Sequence, residues 1–209
     1  MTSTGRFPPS AADGPARPGD VDAIRCSMSD PPAFALLYDR HAASIRGYLA
    51  RRLGADLADD LVAQTFLVAF DTRDRFDAAR GDARPWLFGI ATMLARRHRR
   101  DELRGYRALS RAGAAQSWAT ADHAPAVIAG ADAEALTRGI AGALAALPRG
   151  ERDVLLLCAW SGLGHAEIAE ALAIAVGTVK SRLHRARARL QPLLAGTGAG
   201  PLDDRRGTS

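Results

Sequence analysis

The clearest chemical signal in the sequence is a cluster of basic side chains in its last quarter. Ten consecutive residues hold six cationic or imidazole groups and no carboxylate: Lys180, Arg182, His184, Arg185, Arg187 and Arg189. Positive charge at this density repels itself unless an anion neutralises it, as the phosphates of nucleic acid do. An ordinary solvated basic helix is the alternative, but it leaves the absence of acidic partners one turn away unexplained. The segment is therefore predicted to bind DNA.

The residues around this cluster have the spacing of a helix-turn-helix. A first helix is predicted over 165–172, a turn over 173–176 and a second helix from Gly177 or Thr178. One narrow stripe of the second helix is apolar, formed by Val179, Leu183, Ala186 and Leu190. This stripe is expected to dock on the first helix and to leave the basic side facing outward.

Composition favours a nucleic-acid partner and gives no sign of an enzyme. The 209 residues carry a net charge of +5, and Lys180 is the only lysine, so arginine supplies almost all the positive charge. Arginine suits bidentate phosphate and base contacts, although a GC-rich genome would also enrich it. Cys26 and Cys158 are too few for a disulfide framework, and the histidines lack metal-ligand spacing. No catalytic residue, metal or cofactor is predicted, and Cys158 is expected to be a buried small hydrophobe.

The elements that position the cluster are predicted to be helices. The fold class is all-α, with two small helical domains joined by a flexible linker, the second a helix-turn-helix domain, because no alternating β-branched run suggests a sheet. The predicted segments are a disordered tail at 1–30, a first domain at 31–108, a linker at 109–130, a second domain at 131–194 and a disordered tail at 195–209. No apolar run reaches transmembrane length, so we expect a cytoplasmic protein without membrane insertion.

Three helices are predicted in the first domain, over 34–53, 57–70 and 85–109. The third has an apolar, aromatic first half and an arginine-rich second half, a combination that suits single-stranded nucleic acid because bases stack on aromatic rings. Trp86 in that helix is either such a stacking residue or part of the core. The acidic face of the second helix, with Asp59 and Asp60, is either a favourable placement of first-turn carboxylates or a docking surface for a basic protein. Spacing alone leaves both alternatives open.

Several motifs carry a resemblance to a known family. The second domain reads LPRGERDVLLL, EIAEAL and GTVKSRLHRARARL, and the first reads DDLVAQTFLVAF, DRFD and RPWLFGIA. Over roughly 34–190 the chain resembles an extracytoplasmic-function (ECF) sigma factor, a member of the sigma-70 family of bacterial RNA polymerase initiation factors. Helices similar to GTVKSRL also occur in response-regulator output domains, and the motifs of the first domain distinguish the two.

The resemblance implies a non-enzymatic initiation factor that recognises and melts promoters. Its implied partners are core RNA polymerase, promoter DNA as duplex and as melted non-template strand, and an anti-sigma factor. The implied polymerase-binding residues are Asp59, Asp60, Gln64 and Phe66. Those implied for the minus-10 element are Arg84, Trp86, Arg96, Arg97 and Arg100. Those for the duplex minus-35 element are Lys180, Ser181, His184 and Arg185 at base edges, with Arg182 and Arg187 at phosphates.

The chain departs from the family pattern at a few positions. Ala63 and Gln64 stand where a Gln-Glu pair is usual, and Met93 stands where many members have Asn. Ala173 occupies a position where a left-handed glycine is common, which implies a modest local cost. Gly164 replaces a Ser or Thr helix cap. The alternative function is a helix-turn-helix transcriptional regulator, which would bind duplex DNA without acting as a polymerase subunit.

Overall fold

The computed structural model describes residues 19–111 and 131–195, and within these ranges the chain forms α-helices and short 3-10 turns without a strand. The predicted all-α class is confirmed. The first domain contains α1 (Asp20–Ser27), α2 (Ala35–Leu53), α3 (Ala55–Asp71), α4 (Arg84–Arg97) and α5 (Arg99–Arg111). The second contains α6 (Ala131–Ala146), α7 (Arg149–Trp160), α8 (His165–Leu172) and α9 (Val176–Ala195). Among these helices none is long and apolar enough to cross a bilayer.

Helix α1 lies inside the segment predicted to be a disordered tail, so that prediction is wrong for residues 20–27. Ala23 and Ile24 are buried in the core of the first domain. Asp20 anchors the start of the helix, because one carboxylate oxygen lies 2.7 Å from His41 Nε2 and the other accepts a hydrogen bond of 2.9 Å from Arg40. Eight residues with so few apolar side chains show no readable period. Residues 1–18 lie outside the described part of the chain.

Helices α2 and α3 pack against each other and against α4 to form the core of the first domain. Gly54 ends α2, and its φ of 96° needs a residue without a β-carbon. Tyr48 is buried at the centre, where its ring packs edge-on against Phe88 at 5.5 Å and its hydroxyl lies 2.9 Å from Thr92 Oγ1. The core thus places the start of α4 firmly against α2.

The single helix predicted over 85–109 is two helices, with a break at His98. Its backbone, at φ −89° and ψ 22°, leaves the helical ladder. The break lets α5 turn two buried polar residues inward, Glu102 and Tyr106. Glu102 accepts a hydrogen bond of 2.8 Å from Arg52 in α2, and burial, reinforced by the Glu102 charge, raises the pKa of Tyr106. Periodicity within 85–109 could not reveal this partner.

The second domain is built around α7. Its residues 151–157 are all buried, and Val154, Leu155 and Leu157 lie in the core. Cys158, predicted to be a buried small hydrophobe, is only half-buried and packs at the edge of the core. Helix α5 extends to Arg111, within the segment predicted to be linker; residues 112–130 lie outside the described ranges, as do 196–209 of the predicted tail.

The two domains are in contact, an arrangement that the prediction of a flexible linker did not include. Helix α5 packs on α6, α4 packs on α8, and α2 reaches α7. These contacts bring the arginine-rich helix of the first domain against the helix-turn-helix domain.

Candidate nucleic-acid interface

The helix-turn-helix is formed by α8, a three-residue turn and α9. The predicted bounds of the first helix are confirmed, and the second begins at Val176, one or two residues before the predicted start at Gly177 or Thr178. Ala173 ends α8 in the left-handed conformation, at φ 52° and ψ 50°, as its position in the turn implied. The amide of Ile174 donates back to the carbonyl of Ala169 at 2.9 Å, so the turn satisfies the free end of α8.

The first turn of α8 lacks a side-chain cap from Gly164 but gains one from Glu167. The Gly164 amide donates a 2.6 Å hydrogen bond to the Glu167 carboxylate, which reaches back across the first turn. Ile168 and Ala169 are buried, as expected for the face that meets the second helix, while Leu172 is half-buried. Helix α8 is therefore well anchored at its start even though Gly164 provides no side-chain cap.

The apolar stripe of α9 is the best-confirmed part of the prediction. Val179, Leu183, Ala186 and Leu190 expose 0%, 2%, 0% and 5% of their surface. They do not dock on α8 alone, because α9 also packs on α6 and more extensively on α7. Three supporting helices fix the rotation of α9 and so decide which of its side chains face outward.

The outward side of α9 carries the polar residues predicted to meet DNA. Lys180, Ser181 and His184 are exposed, and Arg182 and Arg187 are half-buried on the flanks. As predicted, α9 itself contains no acidic partner for its basic residues, but another helix of the domain supplies one. Glu151 of α7 lies 3.1 Å from both Arg185 and Arg189 and forms ion pairs with them. A contact from Arg185 to a base edge would require this pair to separate.

The arginines predicted for the minus-10 element divide into two groups. Arg97 and Arg100 are exposed. Arg84 and Arg96 instead contact the second domain: Arg84 donates to the carbonyl of Ser161 at 2.8 Å, and Arg96 donates to Asp153 at 2.9 Å. Sequence reasoning missed Asp153 as a partner because it lies 57 residues after Arg96, on a helix of the other domain.

Trp86 has features of both alternatives that the sequence left open, a residue that stacks on bases and a core residue. It is half-buried at the start of α4 and packs against the ring of Phe76, with centroids 5.1 Å apart. One side of the indole therefore belongs to the domain's packing, while the rest is accessible. The two rings form an aromatic edge beside the loop that precedes α4.

The face of α3 predicted to bind polymerase is partly as expected. Asp60 and Gln64 are exposed, and Asp59 forms an ion pair of 2.5 Å with Arg46, whose hydrogen bond lowers the pKa of the Asp59 carboxyl. Phe66 is 6% exposed and its ring packs 4.9 Å from that of Tyr38, so it is a core residue and its prediction as a surface contact is wrong.

Leu67 is the exposed apolar residue of that face and was missed. Its side chain is 61% exposed. Residues 60, 64 and 67 follow one helical stripe, so angular position along α3 could have identified it. An exposed leucine between acidic and amide side chains is suited to a protein contact.

One cluster has the residue types of a metal site. Asp20, His41 and Asp82 offer ligand atoms within 4.8 Å of one another. Asp20 already accepts hydrogen bonds from Arg40 and from the amide of Ala83. Burial raises the pKa of Asp20, but Arg40 and His41 outweigh it, and the net shift is downward. The charge of Arg40 opposes a cation here, so the cluster fits a structural role that joins α1, α2 and the loop before α4.

Comparison with known proteins agrees with this geometry. The family model for sigma-70 region 2 matches residues 37–105, and the model for sigma-70 region 4 matches residues 138–190. The fold and the exposed basic face of α9 thus define a two-domain transcription initiation factor. The chain belongs to the ECF group of the sigma-70 family of RNA polymerase sigma factors.

Individual relatives cover most of the chain. The ECF RNA polymerase sigma factor SigK of Mycobacterium ulcerans is 30% identical over 176 residues, or 82% of this chain and 92% of the relative. SigL of Mycobacterium tuberculosis is 36% identical over 151 residues, or 72% of this chain and 82% of SigL.

Two solved structures resemble the whole arrangement. CnrH in complex with the cytosolic domain of CnrY covers 86% of this chain and 99% of its own, with 28% identity and a TM-score of 0.59. RpoE of Bartonella quintana in complex with the anti-sigma factor NepR covers 78% and 98%, with 27% identity and a TM-score of 0.52.

Proposed function

We propose that this sigma factor directs core RNA polymerase to its promoters through a separate DNA-binding surface on each domain. The observation that carries the proposal is α9, where an exposed polar and basic face lies opposite a seam of at most 5% exposure. Such a helix can enter the major groove without disturbing the core that holds it. The match to region 4 over 138–190 includes this helix up to Leu190.

The second domain binds the minus-35 element as duplex. Lys180, Ser181 and His184 reach base edges, because they are exposed on the side of α9 opposite the seam. Arg182 and Arg187 flank that face and contact phosphates, which position the helix without reading sequence. Arg185 joins the base contacts when it leaves Glu151, since the approaching phosphates compete for its charge.

The first domain holds the melted minus-10 strand. Unstacking a base costs roughly a few kcal/mol, so each captured base needs stacking or polar contacts in return. The Phe76 and Trp86 edge supplies aromatic surface, and Arg97 and Arg100 supply charge along α4 and α5. Arg84 and Arg96 add to this surface once they leave the second domain.

Polymerase binds the exposed stripe of α3. Asp60 and Gln64 supply polar contacts and Leu67 supplies the apolar one, in place of the buried Phe66. Asp59 remains on the edge of this surface, held by Arg46.

An anti-sigma factor is a further proposed partner. CnrH and RpoE, whose folds resemble this chain, are seen in complexes with CnrY and NepR, the latter an anti-sigma factor. We place the action of this chain in the cytoplasm, where RNA polymerase works.

Run-off transcription tests the proposed function. Purified core polymerase is incubated with a pool of upstream regions from the source genome, with and without this protein. We expect transcripts from a subset of templates that share spaced minus-35 and minus-10 elements. DNA binding without recruitment or redirection of polymerase would instead indicate a regulator that binds duplex DNA on its own.

A further inference from the structure

The first turn of α7 lies against a row of arginines on α9. Arg182, Arg185 and Arg189 follow one side of α9, because residues three and four apart share a helix face. Glu151 forms ion pairs of 3.1 Å with Arg185 and with Arg189. Gly150, the residue before it, lies against the guanidinium of Arg182. Two consecutive residues of α7 therefore contact all three arginines of the row.

The contact between Gly150 and Arg182 leaves no room for a side chain on the glycine. A β-carbon at Gly150 would lie 2.9 Å from both Cζ and Nη1 of Arg182 and 3.2 Å from its Nε. The two shorter distances are closer than real β-carbons come to another atom. Because three atoms of the planar group are nearly equidistant from this point, the flat face of the guanidinium covers the glycine. The guanidinium thus fills the space that a side chain would take.

The backbone conformation does not explain a glycine at position 150. The described glycines with positive φ are Gly54, Gly81 and Gly162, and Gly150 is not among them. It lies in the first turn of a helix of 12 residues, where alanine has the higher helix propensity. The close approach of Arg182 is therefore the feature of this turn that requires a residue without a side chain.

Arg182 is the member of the row that Glu151 does not pair with, since that carboxylate pairs with Arg185 and Arg189. Among the residues that the structure describes, the half-buried Arg182 side chain has no hydrogen bond or ion pair. The N–H groups at the edge of its guanidinium are thus free to donate, while its face is fixed on α7. A guanidinium held in this way is suited to a phosphate, which accepts two parallel hydrogen bonds from it.

The proposed function places Arg182 at a phosphate of the minus-35 duplex, but it does not say what orients the side chain. We propose that Gly150 is a positioning residue for DNA binding: it lets Arg182 stack on the first turn of α7 and so directs the free edge of the guanidinium toward the DNA backbone. Ordering a long side chain before binding reduces the entropy lost on contact, so this arrangement raises affinity. A phosphate contact carries no sequence information, and the gain is therefore the same for every duplex. This inference rests on the proposed function for the assignment of Arg182.

Gly150→Ala tests the positioning role in the full chain. The added methyl group displaces the end of a flexible side chain rather than backbone, so the variant should fold as wild type does. We expect it to bind a random-sequence duplex about fivefold more weakly, with a salt dependence shallower by about one unit of log–log slope, as for one lost phosphate contact. Fluorescence anisotropy at several salt concentrations measures both quantities, and circular dichroism with urea denaturation checks the fold.

Gly105→Ala in α5 is the matched control. A β-carbon there would meet no atom of the described residues within 4 Å, and the position is exposed in the first domain. This variant should bind the random duplex with the affinity and the salt slope of wild type. An equal loss in both variants would mean that the effect of Gly150→Ala does not come from its contact with Arg182.

A double-mutant cycle separates positioning from a general structural effect. If Gly150 acts through Arg182, Gly150→Ala should have no further effect on affinity once Arg182→Ala has removed the guanidinium. A Gly150→Ala variant with wild-type affinity would overturn the inference. So would a loss of affinity that persists undiminished in the Arg182→Ala background.

The polymerase holoenzyme distinguishes a failure of this inference from a failure of the proposed function. If wild type gives no run-off transcripts, the proposed function fails, whereas the cycle on the random duplex still decides whether Gly150 positions Arg182. If wild type does transcribe, Gly150→Ala should weaken holoenzyme binding to a transcribed promoter and to the same DNA with its minus-35 element scrambled by the same factor. A loss confined to the intact promoter would contradict a phosphate contact, because it would show that the glycine affects base reading.

Discussion

Ala173 is the non-glycine residue with positive φ among those that the structure describes, at φ 52°. A left-handed residue with a β-carbon costs roughly 1–2 kcal/mol, whereas glycine adds about 0.4–1 kcal/mol of unfolded-state entropy. The turn of the helix-turn-helix therefore contains a small, removable strain.

Ala173→Gly should raise the free energy of unfolding by about 0.5 kcal/mol, the difference between these two terms. Urea denaturation followed by circular dichroism measures it. Ala188→Gly, in the exposed middle of α9, should change stability by about 1 kcal/mol in the opposite direction. Loss of stability in Ala173→Gly would show that the turn gains more from the methyl group than it loses.

Leu67 and Phe66 are neighbours with opposite roles. Leu67→Asp should weaken binding to core polymerase roughly tenfold, about 1.4 kcal/mol, without changing stability, because its side chain is 61% exposed. Phe66→Ala should cost about 3–5 kcal/mol of stability through the cavity it leaves. Fluorescence anisotropy with labelled protein measures the first and chemical denaturation the second. Met28→Asp, another exposed apolar position, is the control; an equal loss of polymerase binding there would remove α3 from the proposal.

The charge of the outward face of α9 depends on a helix that packs against it. The basic cluster loses part of its charge to Glu151, which stands on a different helix and 34 residues before Arg185. The net charge of the outward face of α9 is therefore reduced by a buried residue of α7 rather than by α9 itself.

Glu151→Gln should increase non-specific affinity for duplex DNA and steepen its salt dependence by about one unit of log–log slope, because Arg185 and Arg189 lose their anionic partner. Titration of a random duplex at several salt concentrations gives the slope. Asp56→Asn, exposed on α3, changes the net charge equally at a distant site. Identical slopes for the two variants would mean that the ion pairs of Glu151 with Arg185 and Arg189 do not affect DNA binding.

Helix α1 depends on one carboxylate. The pKa of Asp20 is lowered below its usual 3.8, so the group favours the folded state above that value and loses its contribution as pH falls through the lower folded-state pKa. Asp20→Asn should therefore lower the melting temperature at pH 7, by an amount corresponding to about 1 kcal/mol, and the difference should be smaller at pH 3, below the usual pKa of the carboxyl. Thermal melts at both pH values test this. Asp22→Asn, whose exposed carboxylate lies 3.6 Å from Arg25, should have little effect at either pH.

The elements that could be predicted are those specified locally. Gly54 ends α2, and the four apolar residues of α9 repeat at helical spacing, so both could be located from neighbouring residues alone. The break at His98 and the burial of Phe66 depend on partners in other helices. Helical periodicity identifies which face of a helix is apolar, but it does not identify the partner that will cover that face.

In the molecule as a whole, the contact between the two domains could not be predicted from the sequence. Arg52 and Asp153 are 101 residues apart, and neither stands in a local pattern that names the other. The only local sign was a run of charged residues, Glu151 to Asp153, at the start of a helix that is buried throughout that stretch. The exposed basic face of α9 could be predicted from the spacing within the helix, whereas the contacts of Arg84 and Arg96 with the second domain could not.

The proposed function requires the two domains to bind two separated promoter elements at once. A photoreactive amino acid at Ala188, on the outer face of α9, and another at Met93, exposed on α4, report the DNA near each domain in the polymerase holoenzyme on a promoter. We predict that Ala188 cross-links duplex DNA at the minus-35 element and that Met93 cross-links the melted non-template strand at the minus-10 element of the same promoter. Cross-links from both positions to one DNA segment, or none from Met93 in a transcribing complex, would contradict the proposed function.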